Sequence, residues 1–415
     1  MRELTPKENL IWNTVGCLIY QACQWLTTIV VVTFSTSYVN SGYLAFAMAT
    51  GNIFTALATY NMRTYQISDT NNKYTANEYV GFRLATIGIS YCVFLIYTIL
   101  VSPDFFTILT VLCFLLFKAD EAFSNVLYGI DQKASRMDFI GISQMIRGVL
   151  SIAVFSAGLV IFSNLLVSIL LMFISCLFVT ITFDIPHSKK LSDLQPRLSN
   201  NRFRELLKIC FPLVLSQILY GLVATIARQW FAIKYGTEAL GIYAAIATPC
   251  VIVQVMATYL YSPFLVPISS MYAKHNVIGV KQSTVKLILL IAFVGLLCTI
   301  AAYIFGDAIL SFVFGNDIQS CSWLLTPAMA AATSMAIASF ITDIFIVLRR
   351  LMEAVAISAI SFISCVLFMN VAFQLWYMNG INIVILASFS IGIIYGFIRL
   401  IYIFSTKPYV NGPHE

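Results

Sequence analysis

The sequence predicts an all-α membrane protein of about twelve transmembrane helices arranged as two six-helix lobes. Three observations carry that expectation. Of 415 residues, 60% are hydrophobic and only 10% charged, with a mean hydropathy of +0.88, whereas a soluble globular chain carries about 25% charged residues. Apolar stretches of roughly 18 residues or more recur along the whole chain, each long enough to cross the hydrocarbon core. They run without a two-residue alternation, so helices rather than a closed barrel satisfy the backbone in lipid.

The elements follow in order. After the charged start MRELTPKENL comes a span at 10–35. Its apolar stretch, Ile11 to Phe34, exceeds a signal-peptide core, offers no small-residue cleavage site and holds Asn13, Gln21 and Gln24, so it is expected to remain as a helix. Further spans at 41–61, 79–101, 105–127, 139–162 and 164–184 complete an N-terminal lobe, 1–184. The longest connection, IPHSKKLSDLQPRLSNNRFRE at 185–205, is polar and basic and reads as a linker. The C-terminal lobe, 206–415, carries spans at 206–233, 238–261, 284–305, 319–346, 352–377 and 381–404 and ends in a short tail. At an offset of 199, SGYLAFAMATGNIFTALATY (41–60) lies over LGIYAAIATPCVIVQVMATY (240–259), the second span of each half, as a parallel duplication predicts.

Orientation follows from lysine and arginine. With the N-terminus in the cytoplasm, 20 of the 24 basic residues fall inside and only Lys234 outside, leaving Lys118, Arg147 and Arg228 within spans. Both termini and the linker are therefore expected to face the cytoplasm. Tyr38, Tyr60, Tyr259 and Tyr377, near span ends, read as interfacial anchors.

Charges inside the membrane are the informative residues, because each costs several kcal/mol unless it faces protein or water. The fourth span, running from Asp104 to Asp131, holds Lys118, Asp120 and Glu121. Lys118, Glu121, Asn125 and Tyr128 share one helical face, and Asp120 points about 100° away from Glu121. Arg147 on the fifth span lies at a depth similar to Glu121, so the two are expected to pair, either as a lock between helices or as the lining of a polar cavity. Arg228 shares a face with Gln217, Gly221 and Thr225 but sits six residues from Lys234, so snorkelling to the interface explains it as well as ligand binding does. Asp343, six residues before Arg349, reads first as a solvated helix end.

Other chemistry finds no support in the sequence. The ten cysteines form no CxxC pair, and the three histidines, His187, His275 and His414, lie in polar connections, so neither a metal nor a disulfide framework is expected. There is no GxxxxGK[ST] phosphate loop, no nucleophile–base constellation and no connection long enough for a soluble catalytic domain. The chain is expected to be no enzyme, to hold no cofactor and to bind no nucleic acid.

RTYQISD (63–69), EYVGFRLAT (78–86), DEAFSNVLYGIDQKASRMDFIG (120–141) and the following RG (147–148) carry a family resemblance. Together they resemble O-antigen and capsular polysaccharide flippases of the Wzx type, in the superfamily that includes MATE drug exporters and lipid II flippases. The twelve-span pattern matches over the whole chain, the motifs over its first third. The resemblance implies a MATE-like, V-shaped pair of lobes and alternating access in the cytoplasmic membrane. It implies a substrate of undecaprenyl-diphosphate-linked oligosaccharide, destined for O-antigen, lipopolysaccharide or capsule, with polysaccharide polymerase and other export machinery as partners and membrane lipid as surroundings. In that setting Arg147, Lys118, Arg228 and Arg63 are the expected diphosphate ligands, since cations act strongly on phosphate in low dielectric. Arg63 and Arg83 are placed where a headgroup would arrive, with positive-inside anchoring as the plainer account. Glu121, Asp120 and Asp343 are the expected coupling or ion-pair carboxylates, drawing on a proton or sodium gradient. Two alternatives stand beside this reading: a MATE-like, cation-coupled exporter of small molecules, and a non-transporting assembly protein of polysaccharide synthesis. The exporter would want acids in the first spans of each lobe, yet residues 9–60 and 206–237 contain no Asp or Glu.

Overall fold

The computed structural model describes residues 4–34, 38–70, 72–101, 105–197, 199–314 and 321–405. Arg2, Asp104, Lys407 and the 406–415 tail lie outside the described residues, as does the side chain of Tyr38. Thirteen α-helices are described: α1 (Pro6–Phe34), α2 (Tyr38–Thr59), α3 (Met62–Ile67), α4 (Ala76–Val101), α5 (Phe105–Lys133), α6 (Met137–Phe162), α7 (Leu165–Val179), α8 (Ile185–Lys189), α9 (Asn200–Ala273), α10 (Val277–Phe314), α11 (Leu325–Val347), α12 (Leu351–Leu375) and α13 (Gly380–Ser405). A π-helical turn, Thr180–Asp184, joins α7 to α8.

Among the described residues ten helical stretches are long and apolar enough to cross a membrane. Two of them, Asn200–Gly236 and Pro249–Ala273, belong to α9, which breaks at Gly236 (φ 89°, ψ 163°), a conformation open to a residue without Cβ. Helices α2 and α5, of 22 and 29 residues, also reach spanning length at about 1.5 Å per residue. The middle of α5 is the charged exception, holding Lys118, Asp120 and Glu121. With α2 and α5, about twelve helical stretches of spanning length are found among the described residues, and the chain is a multi-pass membrane protein.

Several boundaries differ from the sequence reading. The expected linker is helical at both ends, because α8 runs to Lys189 and α9 starts at Asn200. Helix continues through IPHSK because Ser188 is buried there and donates from Oγ to Asp131 Oδ1 at 2.8 Å. The eighth span lies further on than expected, reaching Ala273, and α10 extends past the expected 284–305 at both ends.

The chain forms two compact units, Met1–Val214 and Leu215–Glu415. In the first, Phe54, Phe94, Phe114 and Phe117 sit in a core with Val111, Leu115 and Met172. The Phe54 and Phe94 rings meet edge-on at 5.8 Å. Helices α1 and α6 cross at Gly16 and Gly141, so closely that a Cβ on Gly16 would collide with the Gly141 backbone. In the second unit Phe231, Phe373 and Phe389 pack with Ile246, Leu324 and Val384. Two pairs of its buried polar groups tie helices together: Tyr243 Oη donates to Asn382 Oδ1 at 2.7 Å, and the hydroxyls of Ser216 and Ser358 are 2.8 Å apart.

Candidate functional site

The charged residues of the first unit fall into two sets that share helix α5 but face different neighbours. Asp120 points toward α6 and α7. There Arg147 Nη2 donates to Asp120 Oδ2 at 2.7 Å and to Ser124 Oγ at 2.5 Å, and also bonds the hydroxyl of Thr180. Thr180 Oγ1 in turn donates to Asp120 Oδ1 at 2.7 Å. Arg147 Nε lies 3.4 Å from Asp184 Oδ2. The Arg147 side chain is 2% exposed, so this is a closed cluster of one guanidinium, two carboxylates and two hydroxyls.

The π-helical turn explains how Asp184 reaches the cluster. A π turn widens the helix by one residue and is found mostly at functional or strained places. Here it carries Thr180 and Asp184, both buried, to the same guanidinium. The sequence reading ended the sixth span at Asp184 and missed both residues. An apolar run closing on TITFD was the available signal, since an acid at that point needs either water or a cation.

The second set is open. Lys118 Nζ lies 2.6 Å from Glu121 Oε2, with the side chains 18% and 19% exposed. Glu121 also accepts from the hydroxyl of Tyr20 on α1. The Lys118 ammonium stands 5.2 Å from the Phe117 ring centroid and 5.6 Å from that of Phe114, within cation–π range. The expected Glu121–Arg147 pair is therefore replaced by two pairs, Glu121 with Lys118 and Arg147 with Asp120. The depth argument holds, but the 100° step between adjacent helical residues decides which carboxylate meets the arginine.

The other predicted residues are dispersed. Arg63 grips Gln132 Oε1 through Nε at 3.1 Å and Nη2 at 2.8 Å, and its guanidinium is 5.8 Å from the Tyr128 ring centroid. Tyr128 and Ser143 share a 2.7 Å hydroxyl contact. Arg83 is 0% exposed, which corrects its placement beside an arriving headgroup. Its Nη1 donates to the carbonyl of Ala58 at 2.9 Å, as does Thr86 Oγ1 at 2.8 Å, and Nη2 reaches Asn125 Oδ1 at 3.2 Å. Ala58 lies in the last turn of α2, so Arg83 satisfies an orphan carbonyl and the negative end of a helix dipole. In the second unit Arg228 is exposed. Asp343 is no solvated helix end: it accepts from Tyr261 Oη at 2.8 Å.

Among the described residues no group of three His, Cys, Asp or Glu side chains is gathered for a metal ion, and the ten cysteines are free thiols. On α5 the arrangement sets a buried arginine cluster, centred on Arg147, beside a partly exposed lysine–glutamate pair.

Comparison with known proteins fits this layout. Residues 42–323, about two-thirds of the chain, match the family model for polysaccharide biosynthesis proteins. The capsular polysaccharide biosynthesis protein CapF of Staphylococcus aureus is 28% identical over 314 residues, covering 75% of this chain and 78% of CapF. Among solved structures, a mutant of the Vibrio cholerae MATE transporter VcmN superposes with a TM-score of 0.78 at 15% identity, covering 96% of this chain and 95% of that one. A MATE protein in complex with MaD5 gives 0.79 at 14% identity, covering 97% of each chain. These structures show that the fold is that of MATE transporters.

Proposed function

We propose, from the premise that this chain belongs to the polysaccharide biosynthesis protein family, that it is a flippase for a lipid-linked oligosaccharide. In this reading the carrier is undecaprenyl diphosphate, and the repeat unit crosses the cytoplasmic membrane by alternating access. The name of the capsular relative and the MATE fold support a transporter in polysaccharide synthesis, rather than an enzyme of it.

The observation that carries the reading is the partly exposed Lys118–Glu121 pair, 2.6 Å apart at mid-span, in a unit whose residues 9–60 hold no acid. A drug cation would need uncompensated carboxylates, whereas a diphosphate needs a cation that can be released to it. An arriving phosphate competes with Glu121 for the Lys118 ammonium. Glu121, left with Tyr20 as its partner, then gains affinity for a proton or sodium ion. Loading and coupling are linked because the ligand and the carboxylate share one cation, and a ligand shifts an equilibrium only by binding its two states differently. Arg63 is a further phosphate contact in this scheme, and Arg228, exposed in the second unit, is left to the membrane interface. Arg147 acts indirectly, by holding α5 against α6 and the π turn so that Lys118 keeps its bearing; Asp120 shares that role, and Asp343 is assigned to the second unit's own packing.

The MATE-like exporter stays second, since the likeness to MATE structures concerns the fold and the acid-free first spans oppose it. Binding separates the two readings. In detergent, the full chain should retain an undecaprenyl-diphosphate oligosaccharide in native mass spectrometry, and Lys118→Ala should weaken retention about tenfold, the loss of one charge-assisted contact. Equal retention by Lys118→Ala, or preferential binding of organic cations, would overturn the proposal.

A further inference from the structure

Helices α10 and α13 of the second unit line an open-sided groove of about 150 Å³ that the transport reading does not use. Its lining is aliphatic and aromatic along most of its length, including Val285, Ile288, Phe397 and Ile401. At one end it is polar, with Lys281, Thr284 and Ser405. That end holds the start of α10 and the finish of α13, beside Lys274 and Lys286, and is expected to face the cytoplasm by its basic residues.

Two features of the polar end are unexplained by packing. Thr284 is 1% exposed, yet its Oγ1 has no hydrogen-bond partner, not even the carbonyl one turn back that a helical threonine usually takes. Buried polar atoms are nearly always satisfied, so an unpaired hydroxyl lining a groove marks a missing acceptor. Lys281, one turn away on the same face, is exposed and has no carboxylate partner among the described residues. Ser405 Oγ, at the last residue of α13, donates to the Tyr402 carbonyl at 3.1 Å and sits at the exposed rim.

We infer that this groove binds an anionic phospholipid of the cytoplasmic leaflet. The phosphate accepts from Lys281 Nζ and Thr284 Oγ1, and an acyl chain runs down the groove past Val285, Ile288, Phe397 and Ile401. Charge and depth both fit this occupant. Lys281 is near the start of its helix, at headgroup level, and the apolar lining lies deeper along the same groove, where a fatty chain lies. Basic pockets between membrane helices on the cytoplasmic side take anionic headgroups in this way. The groove offers one lysine in its lining, which suits a single phosphate diester. The inference does not rest on the transport reading.

The test uses the full chain in detergent and in nanodiscs. Phosphatidylglycerol and phosphatidylcholine with identical acyl chains are titrated, with native mass spectrometry for retention and thermal melting for stabilisation. The wild type should retain and be stabilised by phosphatidylglycerol over phosphatidylcholine. Lys281→Ala and Thr284→Val should each weaken phosphatidylglycerol binding by about tenfold, while Lys190→Ala in the linker leaves it unchanged. The valine is nearly isosteric, so its loss reports the hydroxyl and not the packing. Unchanged affinity in both variants, or equal binding of phosphatidylcholine, overturns the inference. So does preferential retention of undecaprenyl phosphate, which assigns the groove to the transported lipid. A chain that binds phosphatidylglycerol here but moves no oligosaccharide upholds this site and loses only the transport reading.

Discussion

Arg147 Nη2 stands 2.7 Å from Asp120 Oδ2 in a fully enclosed setting, while Glu121, the next residue, faces Lys118 and Tyr20. Adjacent residues on α5 thus belong to two networks, one closed and one open. The closed network holds helices together; the open one is available to a ligand. Two predictions separate these roles, and two more test the packing and the topology.

Removing one partner of the closed network strands a buried charge, at a cost of about 3–5 kcal/mol. Arg147→Ala and Asp120→Ala should therefore lower the melting temperature and the yield of folded protein. The triple change Asp120→Leu, Arg147→Met and Asp184→Leu, which leaves no charge in the cluster, should be closer to wild type than either alanine. A normally folded Arg147→Ala protein would place the arginine outside the structural lock.

The open network should behave in the opposite way. Lys118 and Glu121 are each about one-fifth exposed, so Lys118→Ala and Glu121→Gln should fold nearly as well as wild type and lose transport. Exchanging the two, Lys118→Glu with Glu121→Lys, should keep folding and not restore transport, because the cation is displaced by one helical turn. Full transport by the exchanged protein would reduce the pair to a helix-surface contact.

Glycines differ in a way the geometry ranks. A Cβ at Gly16 or Gly141 meets the facing helix backbone, so Gly16→Ala and Gly141→Ala should destabilise by about 1–3 kcal/mol or more. Gly88 and Gly221 have open space around the same position, and alanine there should stabilise by up to about 1 kcal/mol. Thermal melting of the four variants checks the ranking.

Topology can be read by cysteine labelling in a cysteine-free background. Ser192→Cys, in the connection after α8, should label from the cytoplasm, and Ser163→Cys, between α6 and α7, from the opposite side. Labelling of Ser192→Cys from outside alone would invert the protein.

Much of this was legible in the sequence. Hydropathy located the spans, and the scarcity of charge singled out Lys118, Asp120, Glu121 and Arg147 as the residues to explain. What it left open was rotation: periodicity states that Asp120 and Glu121 diverge by about 100°, but not which neighbour each meets. The contribution of Asp184 was hidden because it depends on a π turn, a local change of helical period that α-helical spacing cannot reveal. Arg83 was misplaced for a related reason. Its partner is the carbonyl of Ala58, and backbone acceptors carry no signature in side-chain composition.

The central claim is that Lys118 releases Glu121 to bind a lipid diphosphate and so drives exchange between leaflets. The direct measurement reconstitutes wild type, Lys118→Ala and Lys118→Arg in liposomes with fluorescent undecaprenyl-diphosphate oligosaccharide and follows its appearance in the opposite leaflet. The account predicts rapid exchange for wild type, partial exchange for arginine, and background exchange for alanine in a protein that remains folded. Wild-type exchange by the alanine variant, or none by the wild type with its own repeat unit under an imposed proton or sodium gradient, would contradict it.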